Sequence, residues 1–133
     1  VRRIDSASRR VFVAMFTFTH KELEAALIRA HNRGVAVRVI FDHDSARVTS
    51  RATFVRLKRA GIPCGKRTKP GLLHYKVALI DDLLVAGSCN WTRAGFSANH
   101  ETLLLIDPLT PAQLSWIHRW WSAVEEGSTL SGR

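Results

Sequence analysis

The sequence Leu-Leu-His-Tyr-Lys-Val-Ala-Leu-Ile-Asp, residues 72–81, is the stretch around which the rest of the chain is organised. It is rich in aliphatic and aromatic residues and lacks proline, which is typical of a β-strand. Because neighbouring side chains of a strand point to opposite faces, His74 and Lys76 are predicted to share a face, about 6.6 Å apart along the strand. An imidazole and an ammonium so placed can converge on an anion of about the size of phosphate.

The last residue of this stretch, Asp81, has the opposite parity. It is followed by Asp82, where a turn into the next strand is expected. We therefore expect Asp81 to hold local structure through hydrogen bonds and not to meet a substrate.

A second strand is predicted at Leu83 to Gly87, and Ser88 and Asn90 continue it with a common parity. If the two strands form a hairpin, Ser88 and Asn90 come near His74 and Lys76. One imidazole, one cation, one hydroxyl and one amide can attack phosphorus, balance its charge and donate hydrogen bonds to its oxygens without a metal.

The spacing H-x-K-x-x-x-x-D followed by G-S-x-N resembles the signature of the phospholipase D superfamily. The resemblance runs from about Ile4 to Ile106 and is greatest to short members with one motif per chain, namely the Nuc-type bacterial endonucleases and the Zucchini or mitochondrial cardiolipin hydrolase group. Other segments that agree are Phe16-Thr17-Phe18-Thr19, Arg33-Gly34-Val35, Ala60-Gly61-Ile62-Pro63, Gly87-Ser88-Cys89-Asn90-Trp91-Thr92 and Asn99-His100-Glu101.

The resemblance implies a role for each matching residue. It makes His74 the nucleophile and Glu101 the carboxylate that orients it, and the implied phosphate ligands are Lys76, Ser88 and Asn90. The implied reaction is metal-independent: His74 forms a phosphohistidine, a second histidine protonates the leaving oxygen, and water resolves the intermediate to leave a 5′-phosphate. No cofactor is implied.

Only one H-x-K motif is present, so the second histidine has to come from elsewhere. We expect a two-fold dimer in which His74 of a second copy completes one shared pocket. The alternative is a monomer whose proton donor is water or another side chain.

Composition indicates one domain, residues 1–133, with 127–133 as a frayed tail. The net charge of +9 favours a polyanionic partner, although basic proteins are common. No apolar run approaches the length of a membrane span, and Val1 in place of Met suggests a processed or trimmed N-terminus. We expect a soluble protein of the bacterial cytoplasm or periplasm.

The N-terminal half alternates strands and helices. A strand buried on both faces is predicted at Arg10 to Phe18, then a helix capped by Thr19 and Glu22, then a strand at Val35 to Asp42. Strand, helix and strand at this length predict a parallel pair with a right-handed crossover. The expected fold class is therefore α/β, with a mixed, largely parallel central sheet and helices on both faces.

The residues Asp42-His43-Asp44 are of metal-ligand types, and they lie beyond the carboxyl end of a strand. Three adjacent residues cannot easily surround an ion, so we favour Asp44 and Ser45 as caps of a helix over Arg47 to Ala60. A short strand at Ile62 to Cys64 follows. The two cysteines, Cys64 and Cys89, fit no zinc spacing, and no metal site is predicted.

Positive charge is concentrated just before residue 72. The segment Gly65 to Gly71 contains Lys66, Arg67 and Lys69, and Arg93 follows the second motif. Such a run is usually a solvated loop, but this position favours contact with a substrate backbone.

Two elements complete the chain. Asn99 to Ile106 reads as a strand in which Glu101 is a lone carboxylate on an apolar face, so it needs a partner such as His74. A last helix follows Pro108 and Pro111, and its apolar side is expected to contain Leu114, Ile117, Trp121 and Val124. Trp116 and Trp120 lie on other sides of this helix, and we favour packing over base stacking as their role.

Two departures from the family distinguish among its members. Only about ten residues precede Val11, where the family has a further strand and helix, and there is no Cys-rich insertion of the Zucchini kind. Both favour a nuclease that cleaves DNA or RNA. The alternatives are a phosphodiesterase acting on a lipid of the cardiolipin type and a silent nucleic-acid-binding module.

Overall fold

A mixed sheet forms the centre of the computed structural model, which describes residues 1–130. Within those residues the sheet has six strands in the order β3-β2-β1-β4-β5-β6. The strands are β1 Arg10–Met15, β2 Ala36–Phe41, β3 Cys64–Lys66, β4 Lys76–Ile80, β5 Leu83–Gly87 and β6 Leu103–Ile106. The helices are α1 Arg2–Asp5, α2 Lys21–Asn32, α3 His43–Arg47, α4 Arg51–Arg59, α5 Arg93–Ser97 and α6 Pro111–Glu126.

The pairing of the strands confirms the α/β class and corrects one detail. β1 pairs in parallel with β2, as the strand-helix-strand pattern predicted, and β2 also pairs in parallel with β3. β4 pairs antiparallel with both β1 and β5, and β5 with β6, so the described sheet is mixed but not largely parallel. For β4 and β5 the reason is local: Asp81 and Asp82 join them as a hairpin, and a tight turn can connect only antiparallel strands.

The core lies on both faces of the sheet, because β1 alternates its apolar side chains between two layers. Val11 and Val13 pack on the face covered by α2 and α4, together with Leu27 and Leu57. Phe12 and Ala14 face the opposite layer, where α6 contributes Trp121 and Ile117, as predicted. The strand that begins the motif, β4, pairs directly with this doubly buried strand and is therefore rigidly placed.

Two helix caps differ from expectation. The N-cap of α2 is His20, whose ring accepts a hydrogen bond from Leu23 N, and not Thr19. Asp42, not Asp44 or Ser45, caps α3 by accepting from the backbone of both.

The helix expected over 47–60 begins later, as α4 at Arg51, and the separate short helix α3 ends at Arg47, which leaves a break between them. Ser50, fully buried at the break, exchanges a hydrogen bond with Ser45 and accepts one from Phe18 N. The interruption thus supplies a polar group that fixes the loop after β1. A continuous helix could not supply that group from the same position.

The C-terminal segment is packed where a frayed tail was predicted. Arg67 and Ser128 form a β-bridge, Thr129 N donates to Lys66 O, and Leu130 is buried beside Trp121. Residues 131–133 of the expected tail lie outside the described residues. Within residues 1–130, no helix combines the length and apolar character required to cross a membrane.

Candidate active site

The candidate site lies where β4 begins and β5 ends. The strand is shorter than residues 72–81, because His74 and Tyr75 precede its first residue, Lys76. Two backbone hydrogen bonds fix this entry: Leu73 N donates to the buried Asp42 carboxylate at 2.9 Å, and Phe16 N donates to Tyr75 O at 2.9 Å. His74 is therefore exposed on a segment that is held on both sides.

His74 and Lys76 meet as the strand parity predicted. The Lys76 Nζ atom lies 3.1 Å from Nδ1 and 3.0 Å from Nε2 of His74, and it donates to the His74 carbonyl at 3.0 Å. Only 9% of Lys76 is exposed. Burial lowers the pKa of the Lys76 ammonium, and the nearby Glu101 carboxylate partly opposes that effect.

Phe16 is the site residue to which sequence analysis assigned no role. Its ring lies 4.8 Å from the His74 ring, centroid to centroid, and the Lys76 Nζ atom lies 5.2 Å from the same Phe16 centroid. One aromatic ring thus contacts both polar groups. The available signal was its place in the Phe16-Thr17-Phe18-Thr19 segment, but a predicted core strand gives such a phenylalanine an ordinary explanation.

The hairpin brings Ser88 and Asn90 to the same edge. Val77 of β4 pairs with Ala86 of β5, so the residues after β5 lie beside the residues before β4. The Asn90 Oδ1 atom accepts from Thr17 N at 3.0 Å, which leaves the amide NH₂ group of Asn90 available to donate to a ligand.

Glu101 contacts Ser88 where sequence analysis expected it to contact His74. The Ser88 hydroxyl donates to Glu101 Oε2 at 2.6 Å and accepts from Thr102 N at 2.9 Å. The cause is the register of β6, which pairs Leu103 with Gly87 and so places Glu101 next to Ser88. β6 is also shorter than predicted, and Glu101 is exposed. Among the described residues, the ring of His74 contacts Lys76 and Phe16.

Asp81 lies at the opposite end of β4 from His74. Its carboxylate accepts backbone hydrogen bonds from Ser8, Arg9 and Arg10 at 2.8–3.1 Å, and its own φ is 50°. Burial alone would raise the pKa of Asp81, but the three N–H donors and Arg9 hold it below its usual value. The geometry is that of a group that ties the N-terminal segment to the β4–β5 turn.

The four predicted cationic contacts lie in two places. Arg67 and Lys69 line an open cavity of about 480 Å³ with His43 and Leu72, two residues from His74. Arg67 is committed to its own loop, since its guanidinium donates to the Pro70 and Gly71 carbonyls at 2.8 and 2.9 Å. Lys66 belongs to β3 and is half-buried, whereas Lys69 is exposed.

The fourth cation, Arg93, begins α5 and lines a different cavity, also of about 480 Å³, with Thr19 and His20. Within residues 1–130, no group of three or more His, Cys, Asp or Glu side chains is placed to hold a metal ion. Asp42, the best-placed carboxylate of the Asp42-His43-Asp44 segment, is used as a cap and as the acceptor for Leu73 N.

The chain has relatives by sequence. The family model described as "Cardiolipin synthase, PLD-like domain" matches residues 1–120. The mitochondrial cardiolipin hydrolase of Chlamydomonas reinhardtii is 36% identical over 107 residues, which cover 79% of this chain and 48% of that protein. Phospholipase D of Rickettsia prowazekii is 30% identical over 123 residues, or 92% of this chain and 59% of that one. The chain therefore spans about half the length of these relatives.

Solved structures agree with the sequence relatives. Nuc from Salmonella typhimurium, a phospholipase D family member, has a TM-score of 0.84 and 26% identity, with 95% of this chain and 84% of that chain covered. NucT from Helicobacter pylori has a TM-score of 0.84 and 26% identity, with 96% and 85% covered. The chain belongs to the phospholipase D superfamily of phosphodiesterases, in the group whose members carry one H-x-K motif.

Proposed function

We propose that residues 1–133 form one catalytic domain that cleaves phosphodiester bonds of nucleic acid, without a metal, through a phosphohistidine at a site shared by two copies. The observation that carries the proposal is the contact between His74 and Lys76. An exposed imidazole lies 3.0 Å from a buried ammonium, so a phosphate bound by the cation sits against a nucleophile.

The proposed reaction has two steps. A nitrogen of His74 bonds to phosphorus while the bond from phosphorus to the leaving oxygen breaks, and that oxygen takes a proton from the second histidine. Water then adds to phosphorus, the N–P bond breaks, and the second histidine receives the proton. Lys76 and the NH₂ group of Asn90 stabilise the charge on the phosphate oxygens.

Ser88 is the remaining polar group, and its hydroxyl proton is directed at Glu101. In this arrangement Ser88 presents oxygen lone pairs to the pocket, so donation to phosphate requires the hydroxyl to rotate away from Glu101. Glu101 is then a positioning residue for Ser88, not for His74.

Charge favours a polyanionic substrate, and nucleic acid is the first candidate. The chain carries a formal net charge of +9, and the cavity of Arg93 and the cavity of Lys69 contain cationic side chains, beside Glu22 in the first and Asp42 and Asp44 in the second. A lipid phosphodiesterase is the second candidate because Leu72 and Tyr75, which flank His74, are 61% and 42% exposed and give the site an apolar rim.

The test is cleavage of labelled DNA, labelled RNA and cardiolipin vesicles, each with and without EDTA, by the protein and by the matched variant His74→Ala. We expect the protein to cleave nucleic acid equally well with and without EDTA. The variant should not cleave nucleic acid but should still bind it. Loss of cleavage on chelation, restored by a divalent ion, would contradict the mechanism. Cleavage of cardiolipin alone would establish the second candidate.

A further inference from the structure

The cavity that contains Arg93 lies directly beside the proposed catalytic centre. Residues 16–20 run alongside residues 90–92: Thr17 N donates to the Asn90 side chain, Trp91 N donates to Thr17 O, and Thr19 N and His20 N both donate to Trp91 O at 2.9 Å. The three residues from Thr17 to His20 span at most about 10 Å. A group bound in the cavity is therefore within reach of the same substrate molecule that His74 attacks.

The cavity presents donors and positive charge. It is lined by Thr19, His20, Lys21, Glu22 and Arg93. Lys21 and Arg93 are exposed, and within residues 1–130 neither side chain forms an ion pair or a hydrogen bond. Glu22 is the one acidic group of the lining, so the two cations exceed it by one charge.

His20 adds a neutral donor of fixed orientation. Its Nδ1 atom accepts from Leu23 N at 3.4 Å, so the proton of the neutral ring is on Nε2. The ring also packs edge-on against Phe96, with centroids 5.4 Å apart. Together with the hydroxyl of Thr19, these groups can hydrogen-bond several oxygens of one anion.

We infer that this cavity is a second-phosphate subsite, which binds the phosphodiester adjacent to the one attacked at His74; this inference rests on the proposed function. The substrate is then one with two phosphodiesters joined through three carbons. A nucleic-acid strand has that spacing through its sugar carbons, and cardiolipin has it through its central glycerol. Both sources are polyanions, which the net charge of +9 attracts, and the nucleic-acid source is the one that the proposed function implies.

The experiment compares a dinucleotide, which has one phosphodiester, with a trinucleotide, which has two. We expect kcat/KM for the trinucleotide to exceed that for the dinucleotide by roughly tenfold, because a second charge-assisted contact is made. Arg93→Gln and Lys21→Gln should each reduce this ratio severalfold, and Glu22→Gln should increase it. Arg59→Gln, an exposed cation at the far end of α4, is the charge-matched control and should leave the ratio unchanged.

The affinities (Kd) of the dinucleotide and the trinucleotide are also compared, using His74→Ala protein. This second ratio does not depend on cleavage, so a failure of catalysis can be distinguished from a failure of the subsite. A ratio near one in both measurements overturns the subsite, whether or not the substrates are cleaved. Absence of all cleavage with a tenfold Kd ratio overturns the proposed function and supports the subsite. A preference for cardiolipin over phosphatidylglycerol vesicles that Arg93→Gln removes, with no preference among nucleotides, overturns the nucleic-acid source.

Discussion

At the scale of single residues, Phe16 contacts the two central residues of the proposed site, His74 and Lys76. Its ring contacts both, and it helps to bury the Lys76 ammonium, whose pKa is lowered by that burial. In the proposed mechanism, the positive form of Lys76 is the one that binds phosphate. Activity is therefore lost as the pH rises through the lowered pKa, at a lower pH than an ordinary lysine would give.

Phe16→Leu is predicted to move this alkaline loss of kcat/KM to higher pH, because water reaches Lys76 more easily. It should also lower the maximal kcat/KM roughly fivefold, because the variant lacks the cation–π interaction of the ring, worth about 1 kcal/mol. The measurement is the pH profile of kcat/KM. Phe16→Tyr keeps the ring and is the control. An unchanged profile in Phe16→Leu would show that the ring is only part of the core.

Asp81 tests the structural role of the last motif residue. Asp81→Asn keeps a residue that tolerates the positive φ but removes the charge that three backbone N–H groups donate to, so we expect a loss of about 1–3 kcal/mol in the free energy of unfolding. The pKa of Asp81 is lower in the folded state. Its contribution is therefore present above the unfolded-state pKa of about 3.9 and lost as the pH falls through the folded-state value.

Chemical denaturation at pH 7 and pH 3 measures both statements. The neighbouring Asp82→Asn is the control, because Asp82 makes partly exposed ion pairs with Arg9 and Arg10, and such pairs are worth about 0–1 kcal/mol. Equal losses of unfolding free energy in Asp81→Asn and Asp82→Asn would contradict a special structural role of Asp81.

At the scale of elements, the cations at the end of β3 and in the loop that follows it have two different roles, one in binding and one in supporting the loop. Arg67 holds the loop through two carbonyls, whereas the side chains of Lys66 and Lys69 have no such bond within the described residues. Replacing Lys66 and Lys69 with Gln should weaken nucleic-acid binding and reduce the slope of log K against log salt by about 0.7–0.9 for each phosphate that is no longer neutralised. Filter binding across a salt series gives the slope.

The control for that experiment is Lys58→Gln with Arg59→Gln. These exposed residues end α4 and precede the start of β3, whereas Lys66 is the last residue of that strand. The same reduction in slope from this pair would mean that binding follows total charge and not the loop.

The C-terminal segment supports the same region through packing. A Cβ atom added to Gly65 would lie 2.8 Å from Leu130 Cγ, so the segment rests directly on β3, and Leu130 shares a cluster with Leu73, next to His74. Leu130→Ala should cost about 2–5 kcal/mol in unfolding free energy. Leu72→Ala, at a 61% exposed position, should change it by less than about 0.5 kcal/mol. If Leu130→Ala has a negligible effect on the unfolding free energy measured in urea, the prediction of a frayed tail would be supported instead.

At the scale of the whole molecule, the site is open and bordered by apolar surface. His74, Ser88 and Glu101 are exposed, and Leu103, Leu104 and Leu105 of the edge strand β6 follow at 45%, 57% and 50% exposure. A second copy that supplies the second histidine would cover this region. We expect a slow substrate or an analogue to label one histidine per two chains, and solution mass to be that of a dimer. A monomer labelled once per chain would refute the shared site.

The sequence by itself determined the presence of the strands, the last helix and the proximity of His74 to Lys76, although β4 and β6 begin later than predicted. Each depends on local periodicity, since the parity of a strand and the apolar spacing of α6 are written in neighbouring residues. Asp81 was also assigned a structural role, from its parity and from the turn expected at Asp82. The tertiary structure decided the partner of Glu101, because the register of β6 against β5 sets it.

Long-range packing also decided the break at Ser50, the burial of Leu130 and the contact of Phe16 with two site residues. These features join positions more than thirty residues apart along the chain. No periodicity within one segment encodes such contacts, whose free energy comes from burial and hydrogen bonding between elements. The residues of the proposed site could therefore be predicted from the sequence, whereas the long-range contacts that hold them in place could not.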